Sequence, residues 1–222
     1  MHHEILDTMD LLARRAADVI EEEIDRAKQL ALGLAGGSTP AGTYRELSHR
    51  PIDWSHTTSW ITDERWVGPS HSDANQAMAR AMLVDQTGIR LLAPDTTMAS
   101  PLDSAHAFSE LLETQLTPGT RMVTLLGIGS DGHTASLFPG TDAIGATGAL
   151  YVANRVPALD TWRLTATFDL IARSDVVIFL VSGSSKAQMI SDIAGGRDVP
   201  ATRVTAKERV LWLLDRGAAD AL

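Results

Sequence analysis

Residues 122–133 read MVTLLGIGSDGH, and this stretch decides the fold. Met122 to Ile128 carry no charge and a single hydroxyl. An unbroken apolar run of that length, ending at glycine, predicts a central strand buried on both faces, as parallel sheets require. It passes directly into a polar turn, Gly129-Ser130-Asp131-Gly132-His133.

The same succession recurs on either side. Met9, Leu12, Ala16, Val19, Ile20 and Ile24 repeat at helical spacing, which predicts a helix over about residues 8–28 with Asp7 as its cap. Gln29 to Leu34 (QLALGL) reads as a buried strand ending in Gly36-Gly37-Ser38-Thr39-Pro40. Pro40 suits the first turn of a helix running to about Leu47. Thr57 to Thr62 is a further strand, followed by Asp63-Glu64-Arg65, and residues 73–84 and 103–115 read as helices. Val176 to Val181 (VVIFLV) is another buried strand, followed by Gly183-Ser184-Ser185-Lys186 and a helix to about Ala194. Val210 to Leu214 is a last strand before an expected C-terminal helix, and the short segment ahead of the first helix leaves no edge strand expected there. Strands alternating with helices predict an α/β fold: a mostly parallel sheet with helices on both faces, in a single Rossmann-like three-layer domain over 1–222.

In such sheets ligands bind beyond the carboxyl ends of the strands. Segments 36–40, 63–65, 129–133 and 183–186 all fall there. Gly36 and Gly37 allow close backbone approach, Ser38 and Thr39 add hydroxyls, and a helix start favours an anion. An ordinary strand-to-helix turn with a hydroxyl cap accounts for the same residues equally well. Arg65 offers a fork suited to phosphate oxygens, or a surface ion pair with its acidic neighbours. Lys186 offers an ammonium to the same anion, or a solvated first helical turn. His133 can take a proton from water and Asp131 can orient it, the alternative being a capping histidine. Its place at a strand's carboxyl end among anion-receptive loops favours the functional role. His49, His56, His71 and His106 lack such a setting. Gly127 to Gly132 also fits a dinucleotide fingerprint, but the nearest following strand, Tyr151 to Arg155, carries no acidic residue to meet a ribose.

Composition narrows the classes. The 222 residues contain no cysteine, which excludes disulfides, thiolate metal sites and a cysteine nucleophile and fits a reducing, cytoplasmic setting. A net charge of −9 makes a poor nucleic-acid binder, so any anionic ligand must meet locally gathered basic residues. No apolar run approaches the ~20 residues a membrane span needs.

These segments resemble the 6-phosphogluconolactonase family. Gly129 to Gly140 (GSDGHTASLFPG) is similar to its most specific signature, and Leu34 to Pro40 (LAGGSTP) to its phosphate loop. Asp63 to Val67 (DERWV), followed at a distance by Asn75, and Val181 to Ala187 (VSGSSKA) resemble two more motifs. Arg163-Leu164-Thr165 and Trp212 to Asp215 add weaker agreement, so that nearly the whole chain is covered. The resemblance implies a fold related to sugar-phosphate isomerases. It implies phosphate contacts from Gly36, Gly37, Ser38, Thr39, Arg65 and Lys186, a substrate contact from Arg163, and His133 as catalytic base. No metal or organic cofactor is implied, and the expected ligand is a small phosphorylated sugar lactone, bound by a monomer or small homo-oligomer. The chain departs from the pattern where Gly68 separates Val67 from Pro69, and where Val156 to Trp162 replaces a segment rich in lysine and proline. Two rivals remain. One is a glucosamine-6-phosphate deaminase or isomerase, whose related motif continues differently after the histidine. The other is a non-catalytic sugar-phosphate sensor, which usually carries a DNA-binding segment.

Overall fold

The computed structural model describes residues 2–222. Met122 to Leu126 lie in strand β6 (Arg121–Leu126), buried from its second residue onward; the strand ends there, two residues short of the expected Ile128. It is flanked in parallel by β2 (Leu30–Leu34) and β9 (Val176–Val181), each fully buried. Beyond β2 lie β3 (Thr57–Ile61) and β5 (Arg90–Leu92); beyond β9 lie β10 (Arg209–Asp215) and β1 (His3–Leu6). The result is a seven-stranded parallel sheet ordered β1-β10-β9-β6-β2-β3-β5.

Alternate side chains face opposite sides of this sheet, so two cores form. Leu30, Leu32 and Leu34 join Val123, Leu125, Ile178 and Leu213 against Leu12 and Ile20 of α1 (Met9–Arg26) and Tyr44 and Leu47 of α2 (Ser38–Ser48). On the other face, Ala31, Val177, Phe179 and Trp212 pack with Phe108 and Leu112 of α5 (Pro101–Gln115) and with Met189 and Ile190 of α7 (Ala187–Ala194). Trp212 stacks on Phe179 with ring centroids 3.9 Å apart.

The order of the strands creates a crevice. From β2 the chain builds outward through β3 and β5, then returns to β6 on the other side of β2 and continues through β9 to β10. The connections leaving β2 and β6 therefore diverge from neighbouring strand ends, which is the switch point where ligands bind in open α/β sheets. A second, antiparallel sheet of β4 (Asp63–Arg65), β8 (Thr161–Ala166) and β7 (Tyr151–Val156) is joined to this rim, because Thr62 bridges the two sheets: its N–H donates to Leu34 O (3.0 Å) and its carbonyl accepts from Ala166 N (2.8 Å).

Several local expectations are corrected. Thr8, not Asp7, caps α1, accepting from Leu11 N at 3.2 Å, while Asp7 instead pairs with Arg216. An edge strand does precede α1, since β1 pairs with β10. The helix expected over 73–84 begins as α3 (Asn75–Ala79), widens into a π turn (Arg80–Val84) and closes in α4 (Asp85–Thr87). Residues 216–221 form turns in place of a C-terminal helix, because the Asp215 carboxylate takes the amides of Ala218 (2.7 Å) and Gly183 (3.0 Å) and folds the tail back over the end of β9. Among the described residues no helix is long and apolar enough to cross a membrane.

Candidate functional site

The loops after β2, β3, β6 and β9 meet around one cleft of about 530 Å³ at the carboxyl rim of the large sheet. The short β2 and β6 strands deliver glycine-rich turns to the two sides of the switch point. Gly36 lies against Asn75 so closely that a Cβ there would sit 1.9 Å from Asn75 Oδ1. Across the crevice a Cβ on Gly129 would meet His133 Nδ1 at 2.1 Å. Only glycine at these two positions lets the Asn75 amide and the imidazole occupy the places they do.

The turn Gly129 to His133 is tightened by two backbone bonds, Gly129 N–H to His133 O (2.8 Å) and Gly132 N–H to Gly129 O (3.1 Å). His133 Nδ1 lies 2.6 Å from Asp131 Oδ1, and the same oxygen accepts the His133 backbone N–H at 3.1 Å. An ionised carboxylate only accepts, so Nδ1 carries the proton and Nε2 is left as the basic nitrogen. Burial presses the Asp131 carboxyl upward, but the His133 amide and imidazole outweigh it and hold it below its ordinary range. Phe138 stacks on the imidazole with centroids 4.0 Å apart and the rings inclined by 25°.

Three cations line the same cleft. Arg65 and Arg163 are directly paired residues of β4 and β8, and Lys186 enters from the first turn after β9. Among the described residues none of the three makes an ion pair within 4 Å. Arg65 donates to the Asp73 carbonyl at 2.6 Å, and Arg163 Nε is buried with no hydrogen-bond acceptor. Burial, and then the facing Arg65 charge, push the Arg163 guanidinium below its ordinary value. A buried, unanswered donor beside a second cation is a strong receptor for a multivalent oxyanion.

Of the residues singled out in the sequence, Gly36, Gly37, Arg65, Asp131, His133, Arg163 and Lys186 line this one cleft. Ser38 and Thr39 do not line it; they open α2, whose cap residue Gly37 supplies no side-chain acceptor to their amides. Sequence reasoning did not assign a role to Asp63, Ser136 or Phe138, and quoted Asn75 only within a motif. Asp63 lines the cleft, accepts the Ser136 hydroxyl at 2.7 Å and offers its carbonyl to Asn75 Nδ2 at 2.6 Å. The signal for Ser136 and Phe138 was their place in the run after His133. Among the described residues no group of three His, Asp or Glu side chains is placed to hold a metal ion.

A parallel sheet with a cleft at its switch point, lined by three cations and an Asp–His pair, defines a class: Rossmann-like α/β proteins with a polar cleft at the carboxyl rim of the sheet. The family model described as glucosamine-6-phosphate isomerases/6-phosphogluconolactonase matches residues 6–212, and the chain belongs to that family. A 6-phosphogluconolactonase of Synechocystis sp. is 33% identical over 235 residues, covering 99% of this chain and 97% of the relative. One of Mycobacterium tuberculosis is 32% identical over 237 residues, covering 97% and 96%. The solved 6-phosphogluconolactonase of Trypanosoma brucei superposes with a TM-score of 0.86 at 26% identity, covering 100% of this chain and 98% of that one. A monomeric glucosamine-6-phosphate deaminase shares the fold, with a TM-score of 0.85 at 23% identity over the full length of both chains.

Proposed function

We propose that this protein hydrolyses 6-phospho-D-glucono-1,5-lactone to 6-phospho-D-gluconate, the second step of the oxidative pentose phosphate pathway, with His133 as general base. The observation that carries the reading is that one cleft gathers the imidazole of His133 with three cations that make no ion pair within 4 Å among the described residues. The substrate has that polarity: a dianionic phosphate at one end and a neutral cyclic ester at the other. The family model embraces both the isomerases and the lactonases, and it is the relatives named 6-phosphogluconolactonase, each matched over nearly its whole length, that support this reaction over the deaminase and sensor alternatives.

In this mechanism Arg65, Arg163 and Lys186, with the backbone at Gly36 and Gly37, hold the phosphate. That remote binding energy positions the lactone carbonyl beside His133. Nε2 takes a proton from water as the oxygen attacks the carbonyl carbon. Asp131 keeps Nδ1 protonated and stabilises the imidazolium that forms. The tetrahedral oxyanion collapses, the bond from carbonyl carbon to ring oxygen breaks, and the imidazolium returns its proton to that oxygen. The new carboxylic acid then ionises in water. No cofactor enters this sequence, and the absence of cysteine fits a cytoplasmic setting.

The test is a pH-controlled assay with freshly generated lactone and an enzyme-free blank, because such lactones open spontaneously. General base catalysis contributes about 10²–10⁴-fold, so His133→Asn should lower kcat by that range and leave inhibition by inorganic phosphate intact. Near-normal turnover by the variant would remove His133 from the mechanism.

A further inference from the structure

One of the apolar side chains lining this cleft is left half exposed. Leu159 lines the cleft yet is 52% exposed, at the tip of the β7–β8 hairpin. The hairpin's own geometry keeps it there. Pro157 to Leu159 form a 3₁₀ turn, closed by the Asp160 N–H on the Pro157 carbonyl at 3.1 Å. Asp160 takes a left-handed conformation (φ 47°), which reverses the chain into β8. Arg155, at the base of the turn, staples both arms: its guanidinium donates to the carbonyls of Thr161 (3.1 Å) and Val156 (3.5 Å) and pairs with the Asp160 carboxylate. Arg155 itself does not line the cleft. The same hairpin carries Arg163 one strand-turn further on, so the position of Leu159 is tied to that of a cation.

We propose that Leu159 is a specificity-determining contact, packing on the carbon face of the substrate ring while the arginines hold its phosphate, and that Arg155 is the residue that positions it. This rests on the lactonase reading above. A sugar lactone presents polar edges and an apolar C–H face. Pockets for such ligands combine a few aimed polar groups with apolar surface, and Leu159 supplies that surface at the mouth. Because it is half exposed without substrate, its burial on binding is a gain the free protein has not already collected.

The full-length chain is assayed with fresh lactone, with inorganic phosphate as competitor and thermal unfolding as control. Burying about half a leucine side chain corresponds to about a five- to tenfold effect, so Leu159→Ala should raise KM by that factor. Inhibition by inorganic phosphate and the unfolding midpoint should stay at their wild-type values. Arg155→Ala should raise KM to a similar degree with kcat largely kept. The double variant should be no worse than the poorer single, since both remove one contact. A KM for Leu159→Ala within about twofold of wild type, or single effects that multiply in the double variant, overturns the inference while the lactonase reading stands. Wild-type protein that fails to turn over the lactone overturns the reading itself, and the inference with it.

Discussion

Arg65 and Arg163 face each other across the β4–β8 ladder, and neither makes an ion pair within 4 Å among the described residues. Like charges at directly opposed strand positions destabilise a sheet, and here one of the pair is half-buried with an orphaned Nε. The fold thus holds an unfavourable arrangement, which the phosphate of the proposed substrate would relieve. Arg163→Ala should therefore raise KM by about 10–100-fold, the worth of one charged hydrogen-bond partner, without lowering the thermal unfolding midpoint. Steady-state kinetics and a thermal scan on the same preparation check both halves; a variant that loses stability but keeps its KM would make Arg163 a structural residue. The Asp131–His133 pair is different in kind. It is internally satisfied, with the carboxylate taking both the ring Nδ1 and the backbone N–H, and Phe138 fixing the ring plane. That pair is thus preorganised by the fold itself, which is the arrangement the proposed role of His133 calls for.

At the scale of elements, the segment after β4 shows how the site wall is fastened. Ala74 caps α3 without a side-chain bond, and the fully buried Glu64 takes that role from the neighbouring strand. Its oxygens accept the amides of Asn75 (2.7 Å), Gln76 (2.8 Å) and its own neighbour Arg65 (2.8 Å). Burial nevertheless lifts its carboxyl above the ordinary range, against the pull of these three donors. Glu64→Gln replaces one acceptor oxygen with an NH₂ facing an amide, and should cost about 1–3 kcal/mol in urea unfolding. Such mixed geometry explains which elements were legible. Buried strands such as those holding MVTLL and VVIFLV announce themselves by composition alone. The strand Asp63–Arg65 does not, because three charged residues form a strand only when β8 is there to pair with them. The turns after Asp215 escaped for the same reason, since its carboxylate also takes the amide of Gly183, 32 residues earlier in the chain. In the site, the glycines, cations and histidine were legible because their chemistry is local. Asp63 and Ser136 are brought together by the fold from positions 73 residues apart.

For the molecule as a whole, the two rims of the sheet divide the work. The carboxyl rim carries the cleft. Near the opposite rim Glu23 of α1, fully buried, gathers Arg121 at the start of β6, Arg209 at the start of β10 (3.1 Å) and Arg26 (3.7 Å). Removing one member of a buried charge cluster strands the others, tempered here because the arginines reach water. Glu23→Ala should lose about 2 kcal/mol of unfolding free energy while KM for the lactone is unchanged; a shifted KM would show that the two rims are coupled. The sheet order was not legible in advance, since alternation predicts parallel strands and says nothing of which lie side by side. The edge strand β1 was missed because four residues are too few to show a period.

That short strand has a consequence for how the protein survives beside other chains. His3–Leu6 cover the flank of β10, and Arg15 of α1 clamps Glu4 in place at 2.7 Å. Stripped of it, β10 would present a bare row of amides and carbonyls alongside Trp212 and Leu214, an open template for a stray polypeptide to add itself. Four residues at one flank therefore act as a selvedge, the woven border that keeps a cloth from unravelling into its neighbours.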